Sequence, residues 1–73
     1  MATTTTLANL EAEWAEAVAA RNAHDERVRR IIAGIDPRCT AGLAQVRRSE
    51  GARRANLTRR IIRAEQAIDA LRG

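Results

Sequence analysis

The segment at residues 33–37 divides the chain near its middle and constrains the fold more than any other feature. Gly34 can adopt the left-handed conformation that closes a helix, and Ile35 is the hydrophobic residue that commonly follows such a closure. Asp36 can cap a second helix with its carboxylate, and Pro37 suits a first helical position, where no backbone N–H is needed. Apolar residues recur at helical spacing on both sides. The sequence therefore predicts a chain that folds back on itself as a helical hairpin.

Each half of the chain carries a stripe of mostly apolar residues at heptad spacing, the pattern of helices that pack as coiled coils. The first stripe is Leu7, Leu10, Trp14, Ala17, Arg21, His24, Val28, Ile31 and Ile35. The second stripe is Leu43, Val46, Glu50, Leu57, Ile61, Ala64, Ile68 and Leu71. We predict a single all-α domain over residues 1–73, an antiparallel, coiled-coil-like two-helix hairpin. Its first helix covers about 6–33 after an N-cap among Thr3–Thr6, its tight turn 34–36, and its second helix about 37–72.

A chain of this size has little apolar material for a core. Its 73 residues include one aromatic side chain, Trp14, and no Phe or Tyr. Domains this short lie near the lower size limit for independent folding, and a two-helix hairpin buries only one face of each helix. We therefore expect the hairpin to be completed by oligomerisation into a helical bundle, or by a protein partner.

Both stripes become polar at their centre. Arg21 and His24 interrupt the first stripe and Glu50 interrupts the second, so the antiparallel hairpin brings these three residues within reach of one another. The favoured interpretation is a polar core layer whose ion pair or hydrogen bond sets the register of the helices. The alternative is a ligand or proton-transfer site, but one His with one carboxylate supplies too few groups for a metal site or a catalytic triad.

Charge is unevenly distributed along the chain, which holds 13 Arg, no Lys and a net charge of +4. Acidic residues concentrate in the first predicted helix, and Arg residues concentrate around the turn and in the second. Antiparallel packing would bring Glu13 near Arg63 and Glu16 near Arg60, which favours this alignment over a parallel one.

Arginine pairs recur every six residues, at Arg47-Arg48, Arg53-Arg54 and Arg59-Arg60. Arg donates two parallel hydrogen bonds to phosphate, so the pattern suggests nucleic acid as a partner. A six-residue step turns a helix through about 600°, however, and successive pairs therefore point in different directions. A solvated charged face is the alternative interpretation.

The hairpin tip gathers the arginines that have few acids nearby. These candidate contacts for nucleic acid or an acidic partner are Arg27, Arg29, Arg30, Arg38, Arg47 and Arg48. The tip offers no aromatic side chain on which single-stranded bases could stack. Binding there would rest on phosphate or carboxylate contacts.

Small residues form a second strip beside the main stripes. The candidate oligomer interface consists of Ala8, Ala12, Ala15, Ala19, Ala55, Thr58 and Ile62. Side chains at three- and four-residue spacing share one helix face, and small ones let another helix approach closely. Ala also favours helices at exposed positions, which is the alternative interpretation, but the large Ile62 favours an interface.

Groups that carry chemistry are scarce. The single cysteine, Cys39, has no neighbouring base, and the sequence contains no phosphate-binding loop, paired-carboxylate cleft or metal-ligand spacing. We expect no enzyme activity, cofactor, metal or small-molecule substrate. The absence of a long apolar run or a signal-peptide pattern predicts no membrane partner, and a cytoplasmic protein or one packaged in a particle.

These observations favour a small non-enzymatic helical interaction protein that self-assembles or docks on a protein partner. Arg without Lys and abundant Ala are typical of GC-rich coding sequence, which suggests a structural or regulatory accessory protein, for example a component of a phage or bacterial particle. Two alternatives remain open. One is a small basic nucleic-acid-binding protein that uses the arginine-rich tip, and the other is an inhibitor that docks on an acidic protein surface.

Overall fold

A computed structural model describes residues 6–73 of the chain, which form two long helices. Helix α1 spans Leu7–Ala33 and helix α2 spans Thr40–Arg72. The two helices pack against each other along their length as an antiparallel hairpin, so the all-helical prediction is confirmed. Neither described helix carries an apolar stretch long enough to cross a bilayer.

Helix α1 begins with a side-chain cap. The Thr6 hydroxyl accepts a hydrogen bond from the Asn9 backbone N–H at 3.2 Å, and Thr6 itself has extended backbone angles. This bond satisfies one of the N–H groups that a helix start leaves without an intrahelical partner. The other candidate caps, Thr3–Thr5, lie outside the described residues.

The end of α1 differs from the prediction. Gly34 has φ −84° and ψ −6°, which is right-handed backbone, and none of the described glycines has positive φ. Its N–H is shared between the carbonyl oxygens of Arg30 and Ile31, at 3.2 and 3.1 Å. The helix therefore ends by tightening its last turn, and the left-handed closure predicted for Gly34 is wrong.

The connection is also longer than predicted, because Asp36 acts in a turn instead of capping a helix. The Cys39 N–H donates to the Asp36 carbonyl at 2.8 Å, and the Arg38 N–H donates to the Asp36 carboxylate at 2.9 Å. Pro37 occupies the second position of this four-residue turn, where its fixed φ is favourable. The tight turn predicted at 34–36 is thus a connection over 34–39.

Helix α2 consequently begins at Thr40, three residues after the predicted start at Pro37. Its N-cap is Cys39, whose side chain makes no capping hydrogen bond. An Asp side chain can bond either to a turn N–H or to a helix N–H, and here the turn takes it. Helix α2 therefore starts without the side-chain support that Thr6 gives to α1.

The core is a narrow seam at the open end of the hairpin, away from the tip. Its buried apolar residues are Leu10, Ala17, Ile61, Ala64 and Ile68. Large members of the predicted stripes remain accessible, with Trp14 39% and Leu71 55% exposed. One seam between two helices therefore leaves several large apolar side chains exposed.

Candidate functional site

A buried histidine links the two helices near the middle of the hairpin. His24 of α1 is 7% exposed, and its Nε2 lies 2.8 Å from Oε2 of Glu50 on α2. An ionised carboxylate only accepts hydrogen bonds, so the imidazole carries a proton on Nε2 and donates it. Arg27 and Arg53 also donate to Glu50, at 3.4 and 3.5 Å.

A second carboxylate lies on the other side of the imidazole. Oδ1 of Asp25 is 3.5 Å from His24 Nδ1, which makes no hydrogen bond among the described residues. The same Asp25 oxygen accepts a hydrogen bond from Arg54 Nε at 3.0 Å. We call His24, Asp25, Glu50 and the arginines that contact them the polar layer.

The polar layer keeps its carboxylates ionised. The hydrogen bond from His24 lowers the pKa of Glu50 below its ordinary value, the charges of Arg53 and Arg27 add to this, and desolvation opposes it. The hydrogen bond from Arg54 similarly lowers the pKa of Asp25. A general acid needs a raised carboxyl pKa, whereas lowered values suit ion pairing. The hydrogen bonds to these two carboxylates connect α1 to α2.

The polar layer differs in part from the predicted set of Arg21, His24 and Glu50. His24 and Glu50 are in contact, but Arg21 is half-buried and makes no hydrogen bond or ion pair within residues 6–73. Arg27 and Arg53 contact Glu50 instead. The sequence spacing could have predicted both contacts, because Arg27 follows His24 by three residues and Arg53 follows Glu50 by three residues. Residues three apart share a helix face.

Two grooves flank the seam at the open end of the hairpin. The larger, which we call the front groove, has a volume of about 820 Å³, and the smaller rear groove has about 470 Å³. The floor of the front groove consists of Leu10, Ala17, Ala64, Ala67, Ala70 and Leu71. This floor is apolar and, apart from its two leucines, built from alanine.

Opposite charges line the two walls of the front groove. Glu13 and Glu16 stand on α1, and Arg60 and Arg63 stand on α2. These are the four residues that the charge pattern predicted to come near one another. None of them forms an ion pair among the described residues, so the walls keep their opposite charges available to a neighbour.

The rear groove differs in charge. Glu11 on α1 pairs with Arg72 on α2, whose Nη2 lies 3.2 Å from Glu11 Oε1. Glu65 and Asp69 also line this groove, so its α2 side carries two carboxylates beside one arginine that is already paired. The exposed Trp14 lies in the same groove.

The predicted small-residue interface lies mostly outside both grooves. Ala15 lines the rear groove, whereas Ala8, Ala12, Ala19, Ala55 and Ile62 are exposed elsewhere on the surface. Thr58 is half-buried, and its hydroxyl has no hydrogen-bond partner among the described residues. The candidate strip is therefore an exposed surface instead of a concave site.

Of the six arginines predicted as contacts at the tip, three form ion pairs with acidic residues of the same chain. Arg27 contacts Glu50, Arg30 contacts Glu26 at 3.1 Å, and Arg38 contacts Asp36 at 3.5 Å. The other three predicted tip contacts, Arg29, Arg47 and Arg48, are exposed and make no ion pair among residues 6–73, a state that they share with Arg59, Arg60 and Arg63 on α2.

The remaining candidate for chemistry, Cys39, is exposed at the tip. Within the described part of the chain, no three His, Cys, Asp or Glu side chains converge in a way that could hold a metal ion. Comparison with known proteins found no matching family model, no matching curated protein and no matching solved structure.

Proposed function

We propose that this chain is a small, non-enzymatic helical module that acts by association and forms a homo-oligomeric, coiled-coil-like bundle. Its role would be structural or regulatory, as an accessory protein of a phage or bacterial particle. The observation that carries the proposal is the apolar surface left open beside the seam, including Trp14 and Leu71.

The small core is the reason to interpret this open apolar surface as an interface. A stable helical domain covers the apolar face of each helix with another layer, and a two-helix hairpin has only one seam in which to do so. Among residues 6–73, five apolar residues are buried, three of them large, while five large apolar residues are more than a third exposed. A second hairpin that covers part of this surface would supply another layer and the stability that one seam lacks.

The polar layer supports the same proposal. A buried tether such as His24–Glu50 contributes little net stability compared with apolar residues, but it penalises every alignment that would leave its members without partners. Register control is most useful in a helical assembly whose apolar stripe could otherwise slide. Since the carboxylates have lowered pKa values, a tether is also a better account of this cluster than acid catalysis.

The test is the dependence of size and thermal stability on protein concentration. Light scattering on a sizing column should give an oligomer, and the midpoint of thermal unfolding followed by circular dichroism should rise with concentration, because association stabilises the folded state by mass action. A folded monomer whose unfolding midpoint is the same at every concentration would contradict the proposal.

A second candidate function is nucleic-acid binding at the tip. The observation in its favour is that Arg29, Arg47 and Arg48 are exposed and make no ion pair among the described residues. Guanidinium groups in this state can contact phosphates without first losing an acidic partner. An acidic protein surface would engage the same three residues, as in the inhibitor alternative.

A further inference from the structure

We infer that the front groove is covered by the front groove of a second copy, in a two-fold dimer whose hairpin tips lie at the same end. The inference rests on the proposed function, because it names the partner and the geometry of the association. It follows from the charges on the two walls and from the small side chains on the floor between them.

The wall charges distinguish two ways of placing one front groove on another. A two-fold axis parallel to the helices puts α1 of one copy on α2 of the other and the two tips at one end. Glu13 and Glu16 then face the partner's Arg60 and the partner's Arg63, and the symmetric contact repeats on the other side. Each acidic wall therefore meets a basic wall.

The other arrangement is electrostatically unfavourable. A two-fold axis perpendicular to the helices puts α1 on α1 and the tips at opposite ends. Glu13 and Glu16 would then face the partner's Glu13 and the partner's Glu16, and the arginine walls would likewise meet each other. Like charges placed opposite one another in an interface oppose binding, so the charge pattern selects the arrangement with the tips together.

The floor of the front groove suits close packing of helices. Ala64, Ala67 and Ala17 carry single methyl groups, so they leave room for a facing helix to approach. Leu71, the most exposed of the large apolar side chains in the described part of the chain, lies at the same groove and would lose exposure to water. The same contact thus removes apolar surface from water and pairs the charged walls.

The rear groove does not offer this complementarity. Glu65 and Asp69 stand on its α2 side, and its single arginine, Arg72, is held by Glu11 within the same chain. Two copies meeting there with α1 on α2 would place Glu11 of one beside the carboxylates of the other. Self-association is therefore assigned to the front groove.

Charge reversal of one wall at a time tests the contact. E13R/E16R makes both walls basic and R60E/R63E makes both walls acidic, so each variant alone should dissociate, with Kd raised about tenfold or more. An equimolar mixture should form a heterodimer, because every basic wall then meets an acidic one. Repulsion within one chain cannot be relieved by mixing, and recovery in the mixture therefore reports the contact between chains.

The matched control is E65R/D69R, which changes the net charge by the same amount as E13R/E16R but in the rear groove. It should retain the wild-type dimer. If the single-wall variants fail to fold even when mixed, the quadruple variant E13R/E16R/R60E/R63E is used instead. It exchanges the charges of the two walls, so opposite charges again face each other within and between chains. That variant should dimerise like the wild type, and a monomer would overturn the inference.

The natural cysteine reports the direction of packing without any substitution. Cys39 is the single cysteine of the chain and is exposed at the tip, so it can carry a spin label or a fluorophore. With the tips together, helix axes about 8–10 Å apart place two Cys39 labels within roughly 25 Å. With the tips at opposite ends, each label lies one groove-to-tip length from the centre of the dimer, on opposite sides. At a rise of 1.5 Å per residue, these two lengths add up to roughly 75 Å.

The outcomes separate the inference from the proposed function. A wild-type dimer with the short label distance, which is lost in each single-wall variant and recovered in their mixture, supports the inference. A wild-type oligomer that has the long distance, or that is unaffected by E13R/E16R and R60E/R63E, overturns this inference and leaves self-association intact. A wild-type monomer at every concentration contradicts both.

Discussion

The 2.8 Å contact between His24 Nε2 and Glu50 Oε2 joins the middle of α1 to the middle of α2 across 26 residues of chain. The contact is nearly withdrawn from water, with the His24 side chain 6% exposed and the Glu50 side chain 14% exposed. A slip of one helix by a turn would shift the two atoms past each other by about 5.4 Å and leave the buried His24 without its acceptor. The pair therefore fixes the alignment of the apolar seam.

Removal of one member of this pair should destabilise the hairpin, whereas removal of both should not. Glu50→Leu leaves His24 buried without its acceptor, and we expect a clear fall in the thermal unfolding midpoint. The double variant H24L/E50L replaces both polar groups by apolar ones and should recover the midpoint, since buried polar pairs contribute little net stability. Circular dichroism melts of the wild type, both single variants and the double variant check this. A double variant as unstable as Glu50→Leu would contradict the account.

Acidification should weaken the fold through Asp25 and Glu50. Their pKa values in the folded state are lowered from the ordinary values of 3.8 and 4.5, so the ionised forms stabilise the folded chain. This contribution is fully present above the ordinary values and is lost as pH falls through the lowered ones. Urea unfolding midpoints should therefore decrease as pH falls below about 4.5. The D25N/E50Q variant should show a shallower decrease, and an unchanged slope would exclude these two groups as the cause.

Substitution of Gly51 by alanine should stabilise the protein. Gly51 is exposed within α2, and a Cβ added there would meet no atom within 4 Å outside its local helical surroundings. We expect Gly51→Ala to raise the free energy of unfolding by about 0.5–1 kcal/mol, because alanine loses less backbone entropy in a helix. Gly42→Ala is the matched control. Its added Cβ would lie 3.0 Å from Cys39 Sγ, so the free energy of unfolding should rise less than in Gly51→Ala. Chemical denaturation at one protein concentration measures both changes.

Charge reversal at the tip separates the two candidate functions. If the tip binds nucleic acid, Arg48→Glu should weaken binding of a short duplex and reduce the salt dependence of the affinity, because a phosphate contact is lost. Arg59→Glu makes the same charge change on α2, away from the tip, and should have a smaller effect. Fluorescence anisotropy over a range of salt concentrations distinguishes them. Equal losses for both variants would indicate a general charge effect instead of a site at the tip.

The sequence was sufficient for the hairpin but not for its turn. Gly34 and Pro37 between two apolar stripes leave the chain few options except to reverse, and the all-helical fold followed. The exact connection depended on whether Asp36 would bond to the N–H of a turn or to that of a helix, two interactions with the same local sequence signal. The sequence pattern therefore does not distinguish a connection over 34–36 from the observed one over 34–39.

The polar layer and the grooves show the same limit. His24 and Glu50 were recognisable because they interrupt apolar stripes, whereas Asp25 and Arg54 lie at the edge of the seam and pair only at the observed helix offset. The side of the seam left open was also beyond sequence reasoning, because alanine is compatible with a buried floor and with an exposed face. The predicted Ala strip and the observed front groove therefore differ.

The connection at 34–39 lies near the midpoint of the chain, so contacts between the helices close longer loops the farther they lie from the tip. The loop closed by the contact between Asp25 and Arg54 spans 29 residues, whereas the contact between Glu11 and Arg72 spans 61. Loop-closure entropy grows with loop length, so chain reversal at the tip makes each later contact cheaper to form. The buried apolar residues, however, lie toward the chain ends. By loop entropy alone, the ion pairs of the midsection are therefore easier to form than the contacts of the hydrophobic seam, whose burial must offset the closure of longer loops.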